Sequence, residues 1–98
     1  MLAENLAKLR KHFNLAQNEF AEKLDISARA YVNYERGERK PPYELLIKLL
    51  RNYNVNLNWI IANEGEMFLT EQEFATQYEN VKNDILKEVQ KMLKEKGL

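Results

Sequence analysis

Apolar positions recur at helical spacing along almost the whole chain, and no four-residue stretch alternates apolar and polar as a half-buried strand would. Leu2, Leu6, Leu9 and Phe13 form one face of a first helix over about 2–12. Phe20, Ala21 and Leu24 mark a second over about 17–24. A third begins after Ser27, a favourable N-cap, and ends near residue 36, before Gly37, a favourable C-terminal residue. Pro42 suits the first turn of a fourth helix, which runs to about residue 53. The fifth is short, over 57–62, with Asn56 as its cap. A sixth is long, over about 70–96, and Thr70-Glu71-Gln72-Glu73 reads as its capping box. The expected fold is all-α.

Two of the connections share a pattern. Leu24-Asp25-Ile26-Ser27 and Tyr53-Asn54-Val55-Asn56 each carry Asp or Asn, then a β-branched residue, then a cap. Asp and Asn tolerate the left-handed backbone that a tight helix exit needs, which gives Asp25 and Asn54 a geometric role rather than a chemical one.

Composition narrows the function. A length of 98 residues suits one domain plus an appendage, and is small for a cofactor-dependent enzyme. There is no cysteine, so disulfides and thiolate metal sites are excluded. Residues 1–10 are amphipathic and include Glu4, unlike a signal peptide, and no apolar run approaches the ~20 residues of a membrane span. A soluble cytoplasmic protein without membrane attachment is the expectation. The net charge is zero, but it is unevenly placed: residues 1–63 hold 10 Lys and Arg against 7 Asp and Glu, and residues 64–98 hold 5 against 8. The first part is basic and the second acidic.

The segment from Leu15 to Gly37 resembles the helix-turn-helix of phage repressors, Cro proteins and Xre-type regulators. The residues that carry the likeness are Gln17, Phe20, Ala21, Ile26, Ser27, Glu35 and Gly37. It continues through Leu45, Leu46, Leu49, Leu50, Val55 and the Leu57–Ile61 stretch, covering about residues 2–63. Asp25 replaces the usual turn glycine, and Tyr31 is larger than the usual Ile or Val, which would tilt the recognition helix. The resemblance implies a five-helix lambda-repressor-like DNA-binding domain over residues 1–66, followed by a long C-terminal helix within 67–98.

On the third helix Tyr31 and Tyr34 form an inward pair, leaving Ala28, Arg29, Val32, Asn33 and Arg36 on the opposite face. Arg pairs with guanine and Asn with adenine, while Ala28 and Val32 could meet a thymine methyl. Ala28, Arg29, Val32 and Asn33 are therefore the candidate base-reading residues, and the resemblance independently points to 28, 29 and 33. The plainer reading makes Arg29 and Asn33 solvated polar residues, with Arg29 at most on a phosphate. Gln17 and Asn18 open the second helix, where free N–H groups and the helix dipole suit a phosphate or the residues simply cap. With Ser27, Arg36, Arg39 and Lys40 they make the candidate phosphate set, although a solvated charge cluster is the alternative for the last three. Arg10 and Glu35 match an ion pair of the family, with a structural role. Trp59 reads as core, and His12 as an exposed helix-end residue. No nucleophile–base set, Gly-rich phosphate loop or metal-ligand spacing occurs, so no enzyme, cofactor or metal is expected.

The sixth helix carries Phe74, Tyr78, Val81, Ile85, Val89 and Met92 in one stripe, widened by Leu86 and Leu93. Members eleven residues apart share a face of a nearly straight helix. Such a stripe needs a covering surface. It could join two copies, fold back on the five-helix body, or dock another protein. The leading expectation is a homodimeric repressor that binds double-stranded DNA at an inverted repeat. The alternative is an antitoxin or anti-repressor whose last helix holds a partner protein.

Overall fold

The computed structural model describes residues 1–95, apart from the side chains of Ile85, Glu88, Val89 and residues 92 onward. It contains α1 (Leu2–His12), α2 (Gln17–Lys23), α3 (Ala28–Glu35), α4 (Tyr43–Tyr53), α5 (Leu57–Ala62) and α6 (Glu71–Glu95). Each expected helix is present, shifted by a residue at some ends. Pro42 lies just outside α4 as its N-cap, and Thr70 caps α6.

Local chemistry accounts for most of the boundaries. Ser27 Oγ accepts from Ala30 N at 3.1 Å, and Asn56 Oδ1 accepts from Asn58 N at 3.1 Å, so α3 and α5 each begin on a side-chain cap. Thr70 and Glu73 close the expected capping box, Glu73 N donating to Thr70 Oγ1 and Thr70 N to Glu73 Oε1. Ala16, before α2, has no side-chain acceptor; instead the Glu19 carboxylate turns back to accept from Ala16 N at 2.8 Å. Asp25 and Asn54 are left-handed, with φ of 56° and 57°, and so are Asn14 and Asn63. Short polar side chains bear that conformation best among non-glycine residues.

The core forms where α1 to α5 meet. Leu6 and Leu9 from α1, Phe20 and Ala21 from α2, Tyr31 and Tyr34 from α3, Leu45, Leu46, Leu49 and Leu50 from α4, and Leu57 and Ile60 from α5 are all buried. α1 packs against both α3 and α5, and α2 against α3. Polar ties supplement the packing. Asn5 Nδ2 donates to Trp59 O and Ile60 O near the end of α5. Lys48 Nζ reaches from α4 to Leu24 O at 2.7 Å, closing the end of α2 with a cation. Trp59 is half-buried at the edge of the core, and His12, though exposed, leans on Phe68 with ring centroids 5.0 Å apart.

The chain beyond α5 departs most from the pattern-based expectation. Residues 67–69 return alongside 54–56: Asn56 N donates to Met67 O, Leu69 N donates to Asn54 O, and Val55 and Phe68 form an isolated antiparallel bridge. Met67, Phe68 and Leu69 pack on the core, so a division at residue 66 does not coincide with a break in packing. Phe74, Tyr78 and Val81, expected in a joint between copies, are half-buried against the same core, with α6 lying on α4. The start of α6 thus folds back on its own chain. Ile85, Val89 and Met92, the rest of the expected joint, lie outside the described side chains, while neighbouring Leu86 is 49% exposed.

Candidate nucleic-acid interface

α3 is held from beneath by Tyr31 and Tyr34, both buried as the i, i+3 spacing predicts. Phe20 of α2 meets the Tyr31 ring edge-on, with centroids 5.5 Å apart and planes at 76°. Ala28 and Arg29 are exposed, whereas Val32 and Asn33, expected on the outer face with them, are half-buried. The four candidate base readers still share one side of one helix, over little more than a turn. Tyr31 is accommodated within the core, so its size falls on the packing side of the helix rather than on this row.

α3 ends in a turn stitched to its own carbonyls. Gly37 N donates to Tyr34 O, while Glu38 N and Arg39 N both donate to Asn33 O. Gly37 has φ of +77°, a conformation that a side chain would strain. The turn carries Arg36, Arg39 and Lys40, all exposed, and none forms an ion pair among the described residues. Asn18 is exposed as well. Ser27 is exposed, with its hydroxyl engaged as the α3 cap.

Arg10 and Glu35 form the expected ion pair. Arg10 Nε donates to Glu35 Oε2 at 2.9 Å and Nη2 donates to Oε1 at 2.8 Å, in a two-pronged arrangement between α1 and α3. Arg10 Nη1 also donates to Leu15 O, which ties the α1–α2 connection to the same guanidinium. The two side chains are 14% and 9% exposed, so they are largely shielded from water. Burial alone would raise the Glu35 carboxyl. The Arg10 guanidinium outweighs burial only in combination with the neighbouring Tyr31 hydroxyl and the Gln17 amide, and Glu35 ends below the usual carboxylate range. Its hydrogen bonds to Glu35 in turn raise Arg10.

Gln17 had two readings, as a phosphate contact or as a cap. Its side chain caps nothing: Nε2 donates to Glu35 Oε1 at 3.2 Å. The first residue of α2 is thereby tied to the last residue of α3, a link between positions 17 and 35 that linear spacing did not reveal. Also missed was the Tyr31 hydroxyl, which lies buried one turn from Glu35. The i, i+4 spacing of the two residues on α3 was the available signal.

Comparison with known proteins identifies the family of the chain. A family model described as helix-turn-helix matches residues 6–60, more than half of the chain. The chain belongs to this helix-turn-helix family of DNA-binding transcriptional regulators and is not an enzyme. It is 37% identical over 84 residues to the Bacillus subtilis "Uncharacterized HTH-type transcriptional regulator YqaE", covering 86% of this chain and 69% of that protein. It is 35% identical over 63 residues to the B. subtilis "HTH-type transcriptional regulator ImmR", covering 64% of this chain and 50% of that one. With the "Cryptic phage CTXphi transcriptional repressor RstR" of Vibrio cholerae it shares 30% identity over 73 residues, covering 69% and 65%. The chain thus spans from half to about two-thirds of these relatives' lengths. No solved structure matches it.

Proposed function

We propose that this regulator is a sequence-specific repressor that binds an inverted-repeat operator as a homodimer. One observation carries the reading: Arg29, exposed, and Asn33, half-buried, the two residues best suited to hydrogen-bond base edges, lie together on the side of α3 away from the buried tyrosines. Ala28 and Val32 complete the base-reading row. Arg36, Arg39 and Lys40 in the adjoining turn, Ser27 before α3, and Gln17 and Asn18 on α2 contact phosphates on either side. Arg10 and Glu35 orient α3 from behind. The repressor assignment is supported by the likeness to a phage repressor, and its site of action is cytoplasmic DNA. No described helix is long and apolar enough to cross a membrane, in keeping with that site. The part of α6 beyond Val81, with Leu86 exposed, joins the two copies.

Selection of bound duplexes from a random pool tests the proposal. Two copies of α3 in successive major grooves should enrich an inverted repeat with half-site centres ~34 Å apart. A pool that stays unenriched would rule out sequence-specific reading.

A further inference from the structure

Tyr31 lies one turn before Glu35 on α3, so the two side chains leave the same face of the helix. Its ring is fully buried, and its hydroxyl, buried with it, has no hydrogen-bond partner among the described residues. Such an orphan is uncommon, because the bonds it made to water are lost without replacement. Burial first, and the nearby Glu35 carboxylate second, push the Tyr31 phenol above its usual range, so it remains a protonated donor.

Glu35 is a shared acceptor. Its Oε2 takes Arg10 Nε, and its Oε1 takes both Arg10 Nη2 and, more distantly at 3.2 Å, Gln17 Nε2. The Gln17 bond is the longest of the three and the only one from an uncharged donor. A DNA phosphate is a full anion and competes for that amide. Departure of the amide would leave a largely buried carboxylate oxygen short of one donor, which is unfavourable.

We propose that the Tyr31 hydroxyl is a reserve donor for Glu35, taking the oxygen that Gln17 leaves when its amide engages the DNA backbone. The exchange keeps Glu35 satisfied and Arg10 in place, so α3 holds its orientation while α2 gains a phosphate contact. Tyr31 is thus a positioning residue that touches no DNA. The inference rests on the Gln17 phosphate contact proposed above.

Backbone contacts need no operator, so the probe is a labelled duplex of mixed sequence, titrated at low salt with the full chain, Y31F, Q17A and the double variant. Y31F should weaken binding roughly fivefold, the value of about one hydrogen bond. In the Q17A background it should have no further effect, because no exchange remains to support. The free Y31F chain should melt at or above the wild-type temperature, since it loses only an unpartnered hydroxyl. Wild-type binding by Y31F, or equal weakening in both backgrounds, overturns the proposal. The first result is expected if Gln17 keeps one N–H on Glu35 and gives only the other to DNA. Melting of Y31F well below wild type also overturns it, since the hydroxyl would already have a partner. If Q17A binds as wild type while Lys40→Ala is weakened, the Gln17 contact fails and takes the exchange with it, leaving the rest of the interface standing. No binding by the full chain would overturn the DNA reading itself.

Discussion

Gln77 on α6 donates to Asn56 Oδ1 at 3.1 Å and accepts from Leu57 N at 2.9 Å, binding the long helix to the start of α5. Asn56 is itself buried, and its Nδ2 donates to Glu64 O and Glu66 O. The connection after α5, its cap and the first turns of α6 therefore form one polar knot, beside the apolar packing of Met67, Phe68 and Leu69. A chain ended at Glu66 loses the Gln77 bonds of the knot and this apolar cover together. Its unfolding free energy should fall by at least about 3 kcal/mol, the scale of burying one or two large side chains. A chain ended at Lys82 keeps both and should melt close to the full chain. Urea titrations of the three lengths test this, and equal stability of the shortest would show that the cover is dispensable.

Gly65 offers a local probe of the same knot. It has φ of +79°, and a Cβ there would lie 2.9 Å from Asn56 Nδ2. Gly65→Ala should destabilise by about 1–3 kcal/mol, through backbone strain and displacement of the Asn56 amide. The loss should shrink in an Asn56→Ala background, where the steric conflict is gone and only the strain remains; a double-mutant cycle on urea midpoints measures the difference.

Much of the local structure is legible in the sequence because it is written within a few residues. Ser27, Asn56 and Thr70 are caps as their positions suggest, Asp25 and Asn54 are left-handed, and Tyr31 and Tyr34 turn inward at i, i+3. Arg10–Glu35 was accessible only through family resemblance, since 25 residues separate the partners. The return of Met67–Leu69 had no comparable signal: three adjacent apolar residues carry no period, and their partner is the backbone of 54–56. On α6, Phe74, Tyr78 and Val81 are covered by their own core, which their spacing allowed but did not select over a joint between copies, while Leu86, at the margin of the stripe, is exposed.

The Arg10–Glu35 pair should appear in the acid limb of stability. Glu35 sits below its ordinary value of 4.5 in the folded chain, so folding favours its ionised form. That contribution is complete above the unfolded value, and is lost as the pH falls through about 4.5 towards the lower folded value. Glu35→Gln should be less stable than wild type at neutral pH, because Arg10 loses a charged partner in a shielded site. Its stability should also fall less steeply with acid. Parallel acid limbs in the two proteins would mean that Glu35 is not a principal source of the dependence.

Base reading and backbone contact should separate in binding data. Arg29→Ala and Asn33→Ala should each cost about 1–3 kcal/mol on the selected site and relax preference at one base pair. Lys40→Ala should weaken all sequences alike and reduce the salt slope by about 1. Selectivity unchanged in both α3 variants would remove this face from base recognition, and a sequence-dependent loss in Lys40→Ala would remove that residue from the phosphate set.

Assembly is the remaining expectation. Phe74, Tyr78 and Val81 are already packed within one chain, so a joint between copies falls to the part of α6 beyond them, where Leu86 is exposed. The stretch from Lys82 to Glu95 would extend ~20 Å, long enough for two copies to lie side by side over several turns. Linking two recognition helices raises the effective concentration of the second once the first is bound. The full chain should therefore sediment as a dimer at tens of micromolar, and the chain ended at Lys82 as a folded monomer with much weaker operator binding. Should the full chain sediment as a monomer while a neighbouring gene product co-purifies with it, α6 holds a different partner and the antitoxin or anti-repressor reading gains. A dimer that survives truncation at Lys82 would place the joint elsewhere on the five-helix body.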